Sequence, residues 1–310
     1  MFDEQYLRKK IKRLSECVWE GRAKRVEIDA WLSSFSERGS SGVNERLHML
    51  HLLSNFLYFG IGEIRELLRA HFQYACQRPV VTKIRQDNAD TIDIDFIDHQ
   101  LRIAISRTRF LAVGNPSESG QHLLYYFRQE NNLPAGLFPN QFELPGFPGA
   151  SDTHGKSSVD RYFFIDDICG SGQQIEKFSR NVIQTLSKAH PDAKITYCPI
   201  FATSDGLDYT RKNTAFSDIR CLMELDASFK CFSPTSRFYE DPALRSEAEK
   251  ICFHYGRILH ARDPLGYKDG QLAIGFNHNT PDNTLPIFWA EHPTSLPGWS
   301  PIFRRYMKWA

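Results

Sequence analysis

The stretch Tyr162-Phe-Phe-Ile-Asp-Asp-Ile-Cys-Gly-Ser-Gly-Gln-Gln174 constrains the chain more than any other: an apolar run ends in two acids, crosses glycines and opens an amphipathic segment. A continuous apolar run such as Tyr162 to Ile165 fits a strand buried on both faces, which is how strands of parallel α/β sheets read. It predicts a central strand that carries Asp166 and Asp167 at its carboxyl end, the edge where open α/β sheets bind ligands. Gly170 and Gly172 lack the Cβ atoms that would keep a phosphate from backbone N–H groups, and Gln173 to Lys188 supplies a helix N-terminus behind them. The stretch therefore predicts an anion cradle with two carboxylates at its rim. A strand-turn-helix whose acids have no ligand role is the plainer alternative.

Two common loops do not fit. A Walker loop ends in Gly-Lys-Ser/Thr, whereas Gln173 and Gln174 follow Gly172 here; a dinucleotide fingerprint needs a third glycine, and Ile175 stands in its place.

Composition narrows the partners. The 310 residues carry 38 Lys and Arg against 37 acids, a net charge of +1 that gives no bulk attraction to nucleic acid or membrane. The seven cysteines (Cys17, Cys76, Cys169, Cys198, Cys221, Cys231 and Cys252) are scattered, without a close pair at metal-ligand spacing, and read as reduced thiols. The segment Met1-Phe-Asp-Glu is charged, and no stretch approaches the roughly 18 apolar residues of a membrane span. These features predict a soluble cytoplasmic protein with no membrane partner.

Residues 1–78 read as a helical appendage. Leu47, Leu50, Leu53, Phe56 and Leu57 form one apolar stripe at helical spacing, and Ile64, Leu67, Leu68 and Phe72 another. The basic runs at residues 8–13 and 22–25 suit a solvated helix face or, less simply, phosphates. Thr91 to Phe96 alternates apolar and acidic residues, which predicts a half-exposed edge strand with Asp93 and Asp95 on its wet face. Arg109 to Gln121 repeats the strand–polar loop–helix order, so Asn115, Ser117, Ser119 and Gly120 either hold an anion or simply cap the helix. Residues 134–158, with Phe142, Phe147 and Lys156, form a long Pro- and Gly-rich loop of the kind that serves as a lid.

Downstream, Lys194–Ala202 and Asp218–Leu225 predict parallel strands around a short helix at 205–212, although Pro199 argues against an uninterrupted ladder. Residues 242–261 predict a long helix with Pro242 in its first turn. The segment from Ala273 to Glu291 crowds Asn277, His278 and Asn279 between two apolar runs. It reads as a hairpin-like loop between strands or as a surface for a base.

The acid pair ahead of the glycine turn resembles the PRPP-binding motif of type I phosphoribosyltransferases, in which four apolar residues precede two acids, two mostly aliphatic residues and a small Thr/Ser/Gly loop. Residues 163–172 carry that pattern. The resemblance implies that Asp166 and Asp167 hold ribose hydroxyls and Mg²⁺ as the catalytic pair. It implies that Cys169, Gly170, Ser171, Gly172, Gln173 and Gln174 surround the 5′-phosphate, and that Asn115 through Gly120 grip pyrophosphate. Two positions depart from the pattern: Gln174 stands where a Thr or Ser usually caps the helix, and Gly170 where purine-salvage members carry an acidic base. A purine-salvage mechanism is thus unsupported, and no side chain is assigned as general base.

With the Asn-His-Asn-Thr-Pro-x-Asn-Thr-Leu-Pro-Ile-x-Trp-Ala-Glu tail added, the chain looks like the phosphoribosyltransferase-like proteins of bacterial conflict systems, including those accompanying retrons, over roughly residues 80–310. The resemblance implies an α/β fold, a mostly parallel sheet with helices on both faces, preceded by the N-terminal helical region. The expected division is 1–78 as the helical appendage and 79–310 as the phosphoribosyltransferase-like domain, with a hood segment at about 265–310. Two functions follow from it. One is an antiphage effector that binds PRPP or a related ribose 5-phosphate nucleotide with Mg²⁺ and transfers or cleaves a glycosidic bond. The other is a catalytically inactive nucleotide-sensing module. In either case the N-terminal helices are the expected place for a defence-system partner protein or nucleic acid.

Overall fold

The computed structural model describes residues 2–35, 44–114, 119–148, 159–291 and 298–306. By its contacts the chain forms two compact units, one made of residues 1–63 together with 225–310 and the other of residues 64–224. The expected boundary at residue 78 is therefore not where contacts divide the chain.

The N-terminal part of the first unit holds α1 (Glu4–Cys17), α2 (Arg25–Ser33), α3 (Glu45–Leu53) and a short strand β1 (Leu57–Phe59). Asp3 caps α1 by accepting from the Tyr6 N–H at 3.1 Å, and Asn44 caps α3 through the Leu47 N–H at 3.0 Å. Most of the basic residues here are matched locally. Arg8 bonds Glu4 and Asp29 at 2.8 and 2.7 Å, and the Lys10 ammonium donates to Asn55 at 2.8 Å.

The second unit begins in α4 (Ile61–His71). A π-helical turn at Phe72–Gln77 carries that helix directly into α5 (Arg78–Asp87). Then comes α6 (Ile94–Ser106), which corrects the strand expected at 91–96. The Asp93 carboxylate accepts from the Phe96 N–H at 3.1 Å and starts a helix there. The longer spacing of Ile97, Leu101, Ala104 and Ile105 overrides the short alternation before it.

The sheet follows with β2 (Thr108–Ala112), α7 (Ser119–Glu130), β3 (Arg161–Cys169), and a helical run made of α8 (Gln173–Phe178), a π turn at Ser179–Ile183 and α9 (Gln184–Ala189). It continues through β4 (Lys194–Thr203), α10 (Ser204–Asn213), β5 (Asp218–Ile219) and β6 (Met223–Leu225). Strand order is β2-β3-β4-β5, parallel at each step, with β6 also on β4. The run at 218–225, expected as one strand, is two. Pro199 explains the break: it has no N–H to give that side of the ladder, and only its carbonyl is used, accepting from Leu222 N–H at 3.3 Å.

Helices cover both faces. Tyr162, Phe164, Ile195 and Tyr197 pack with Ile175, Val182, Ile183 and Leu186 of the helical run after β3. On the opposite face Phe110 meets Phe163, Phe127 of α7 and Phe72 at ring distances of 5.8, 5.2 and 6.0 Å. This is the doubly covered parallel sheet that the unbroken apolar runs require. The long loop after α7 has 3-10 turns at Ala135–Leu137 and Gln141–Glu143, with Leu137 and Leu144 buried. Lys156 and the rest of the expected lid at 149–158 lie outside the described residues.

The first unit is completed by α11 (Pro242–Leu259), β7 (Ile274–Phe276) and α12 (Pro286–Trp289). Here the tail departs from a hairpin: β7 pairs in parallel with β1, Leu57 opposite Ile274, and the second apolar run is the short helix α12 with Pro286 in its first turn. The apolar stripes of the N-terminal helices find their partners in this segment. The Trp31 indole N–H donates to the Ile287 carbonyl at 2.9 Å, Trp31 stacks on Phe288 at 5.7 Å, and Phe56 stacks on Phe303 at 4.1 Å. All seven cysteines are free thiols. No helix among the described residues is long and apolar enough to cross a membrane.

Candidate active site at the end of the third strand

Strand β3 delivers Asp166 and Asp167 three and two residues before its end at Cys169, and the chain then turns through Gly170, Ser171 and Gly172 into α8. The Asp166 carboxylate is held at both oxygens. The Tyr197 phenol on β4 donates to Oδ2 at 2.7 Å, and the Asp167 N–H donates to Oδ1 at 3.0 Å. Burial first, and the neighbouring Asp167 charge second, raise the Asp166 carboxyl well above the usual carboxylate range; the Tyr197 hydrogen bond opposes them. Asp167 is half-buried, and its Oδ1 accepts from the Ile168 N–H at 2.8 Å.

The glycine turn is shaped by α10 behind it. Gly172 has φ +76°, open to glycine and costly for most residues, and a Cβ there would lie 2.8 Å from Tyr209 Cδ1 and 3.0 Å from the Gly206 carbonyl oxygen. A Cβ on Gly206 would in turn lie 2.2 Å from the Gly170 oxygen. The Thr203 hydroxyl donates to that same oxygen at 2.6 Å while capping α10 through the Gly206 N–H at 2.9 Å. Thr210 donates to the Gly206 carbonyl at 2.7 Å and sits 3.4 Å from the Cys169 sulfur. Tyr209 donates to Glu176 of α8 at 2.6 Å. The turn is thus clamped on its inner side before any ligand arrives.

The Cys169 thiol is buried, and desolvation pushes it up to about 11, so this residue carries a thiol rather than a thiolate. The Ser171 hydroxyl lies 3.5 Å from the Gln173 N–H, beside the helix start. Gln174 is exposed on the first turn of α8.

Asn115, Ser117 and the Ser119 side chain lie outside the described residues. Gly120 is buried at the start of α7, where a Cβ would come within 2.5 Å of the Val113 oxygen, so its small size serves the close approach of helix to strand. Asn277, His278 and Asn279 belong to the other unit and have structural duties there. Asn277 accepts from Arg22 at 3.1 Å, Asn279 Oδ1 accepts from the Thr280 and Tyr306 N–H groups at 2.9 Å each, and the His278 ring stacks on Phe276 at 5.4 Å. Four residues that shape the turn, Tyr197, Thr203, Gly206 and Thr210, were missed from sequence. Gly206 was the available signal, because a glycine inside a helical pattern often marks a close backbone approach.

A parallel α/β sheet, two acids near the end of an interior strand and a clamped Gly-Ser-Gly turn define a phosphoribosyltransferase-like protein. The chain belongs to the PRTase-CE family, whose pattern it matches across residues 28–305. Among solved structures it is similar to Helicobacter pylori xanthine-guanine-hypoxanthine phosphoribosyltransferase, at 11% identity over 55% of this chain and 89% of that one. The TM-score of 0.27 is too low to bear on residue roles. No curated protein matches the chain.

Proposed function

We propose that this chain binds PRPP or a related ribose 5-phosphate nucleotide at the end of β3 and transfers or cleaves its glycosidic bond as an effector of antiphage defence. The observation that carries the proposal is the acid pair joined directly to a glycine turn clamped from behind. The turn's backbone suits a 5′-phosphate at a helix start, and carboxylates one strand-end away suit the ribose hydroxyls. Turnover would be electrostatic, the acids fixing the sugar while the turn fixes the phosphate, so that developing charge is met by groups already in place.

The donor set also bears on Mg²⁺. Among the described residues no three His, Cys, Asp or Glu side chains gather as a metal cage. Asp166 and Asp167 fit the other mode of Mg²⁺ binding, in which one or two carboxylates and ligand phosphates share a cation that keeps several waters. Bound there, the cation would offset negative charge on the phosphates.

Calorimetric titration with ribose 5-phosphate and PRPP, with and without Mg²⁺, tests the reading. Binding that is lost in the Asp166→Asn, Asp167→Asn double variant supports it, and wild-type-like binding by that variant overturns the site. A sensing module without turnover is the second reading, favoured by Gln174, which stands where a Thr or Ser usually caps the helix, and by a pyrophosphate loop that matches only in position and composition. Release of a free base or pyrophosphate from bound ligand separates the two.

A further inference from the structure

We infer that Tyr197 is a positioning residue of this site, its buried phenol fixing the Asp166 carboxylate in the orientation that a ribose hydroxyl meets. The inference rests on the ribose 5-phosphate reading above. It begins with register: Tyr197 lies opposite Phe164 on the neighbouring strand, two residues before Asp166 and on the same face. The side chain is fully buried, and its ring is stacked on Phe216 at 5.3 Å with 28° between planes, which leaves the phenol little freedom to move. From there it donates to Asp166 Oδ2 at 2.7 Å, while the Asp167 N–H holds Oδ1. Each oxygen keeps acceptor capacity for a ligand, but the plane of the carboxylate is set.

The phenol is itself part of a chain of contacts. The Cys169 thiol lies beside it, and Thr210 links that thiol to the Gly206 carbonyl of α10. The groups that fix the acid therefore also reach the helix that clamps the glycine turn. Carboxylate and phosphate cradle are set by one continuous polar network under the sheet end. A tyrosine used only to fill the core would satisfy its hydroxyl equally well on any backbone carbonyl; this one is spent on half of the acid pair.

The test separates the sugar from the phosphate. Tyr197→Phe keeps the stacked ring and removes only the hydroxyl. With Mg²⁺ present, affinity for ribose 5-phosphate should fall about tenfold, while affinity for inorganic phosphate stays within about twofold. In an Asp166→Asn background the same change should cost nothing further, because the carboxylate it orients is gone. Equal losses for both probes would mean a general structural effect and would overturn the inference, as would undiminished ribose 5-phosphate binding or full additivity with Asp166→Asn. If the wild-type protein binds neither ribose 5-phosphate nor PRPP, the proposed function fails. The contact is then judged in ligand-free protein by the carboxyl carbon resonance of Asp166, which must move on Tyr197→Phe if the phenol holds it and stays put if it does not.

Discussion

Gly206 of α10 lies so close beneath Gly170 that a Cβ added to it would sit 2.2 Å from the Gly170 carbonyl oxygen. The glycine turn therefore depends on a residue 36 positions away in sequence, and the dependence is steric before it is chemical. A methyl group at Gly206 must push the turn outward or move α10.

Gly206→Ala should accordingly lower stability by about 1–3 kcal/mol, the usual cost of overpacking. It should also weaken ribose 5-phosphate binding, as seen by denaturant melts and calorimetry. Unchanged binding with unchanged stability would show that the two segments have slack.

Gly172→Val should be worse for the fold than Ser171→Ala. The reason lies in φ +76° and the 2.8 Å approach to Tyr209, a clash with the protein that does not need a ligand. A thermal melt of each ligand-free variant checks this, and equal melting temperatures would contradict it.

His71 gives the second unit an acid limit. Its Nε2 is paired with the Cys198 carbonyl at 3.0 Å, its Nδ1 has no partner among the described residues, and burial lowers its pKa from 6.5 to about 4. The folded state thus favours the neutral ring. Its contribution is complete above pH 6.5 and shrinks as pH falls toward 4, because the unfolded chain takes up the proton first, for a total loss of about 3 kcal/mol. Denaturant melts at pH 7 and pH 5 should show a smaller decline in His71→Gln than in wild type.

Removing residues 1–63 should unfold the first unit rather than trim an appendage. Trp31 is fully buried against Ile287 and Phe288 from the far end of the chain. Trp31→Ala should cost about 3–5 kcal/mol. A truncation of 1–63 that leaves residues 225–310 protected from proteolysis would refute the shared core. A regulatory role for the N-terminal helices is then best probed with surface charge reversals, since Arg8 and Lys10 already have partners within the chain.

Double substitution of Asp166 and Asp167 by Asn should abolish Mg²⁺-assisted ribose 5-phosphate binding with the fold intact. Circular dichroism alongside calorimetry separates loss of site from loss of structure. Retained affinity would remove the acids from the site.

What the sequence determined by itself was local. The apolar run from Tyr162 to Ile165 demanded a strand covered on both faces, the acids and glycines after it placed a polar turn at the strand end, and residues 205–212 read as a short helix, because each rests on neighbours within a few residues. Where competing periods overlapped, the short one misled. Ile92, Ile94 and Phe96 alternate like a strand, yet Asp93 caps a helix whose spacing extends to Ile105. The apolar run at residues 285–290, read as a strand, became α12 because Pro286 suits a first helical turn.

Only the tertiary structure decided which distant segments meet. It put Tyr197 on Asp166, set Gly206 and Thr203 under Gly170, and closed the N-terminal helices over residues 225–310. Those pairings depend on strand register and on sub-ångström steric fit between elements far apart in the chain. Composition and periodicity carry no record of either, since they specify which face of an element is apolar but not which other face will cover it.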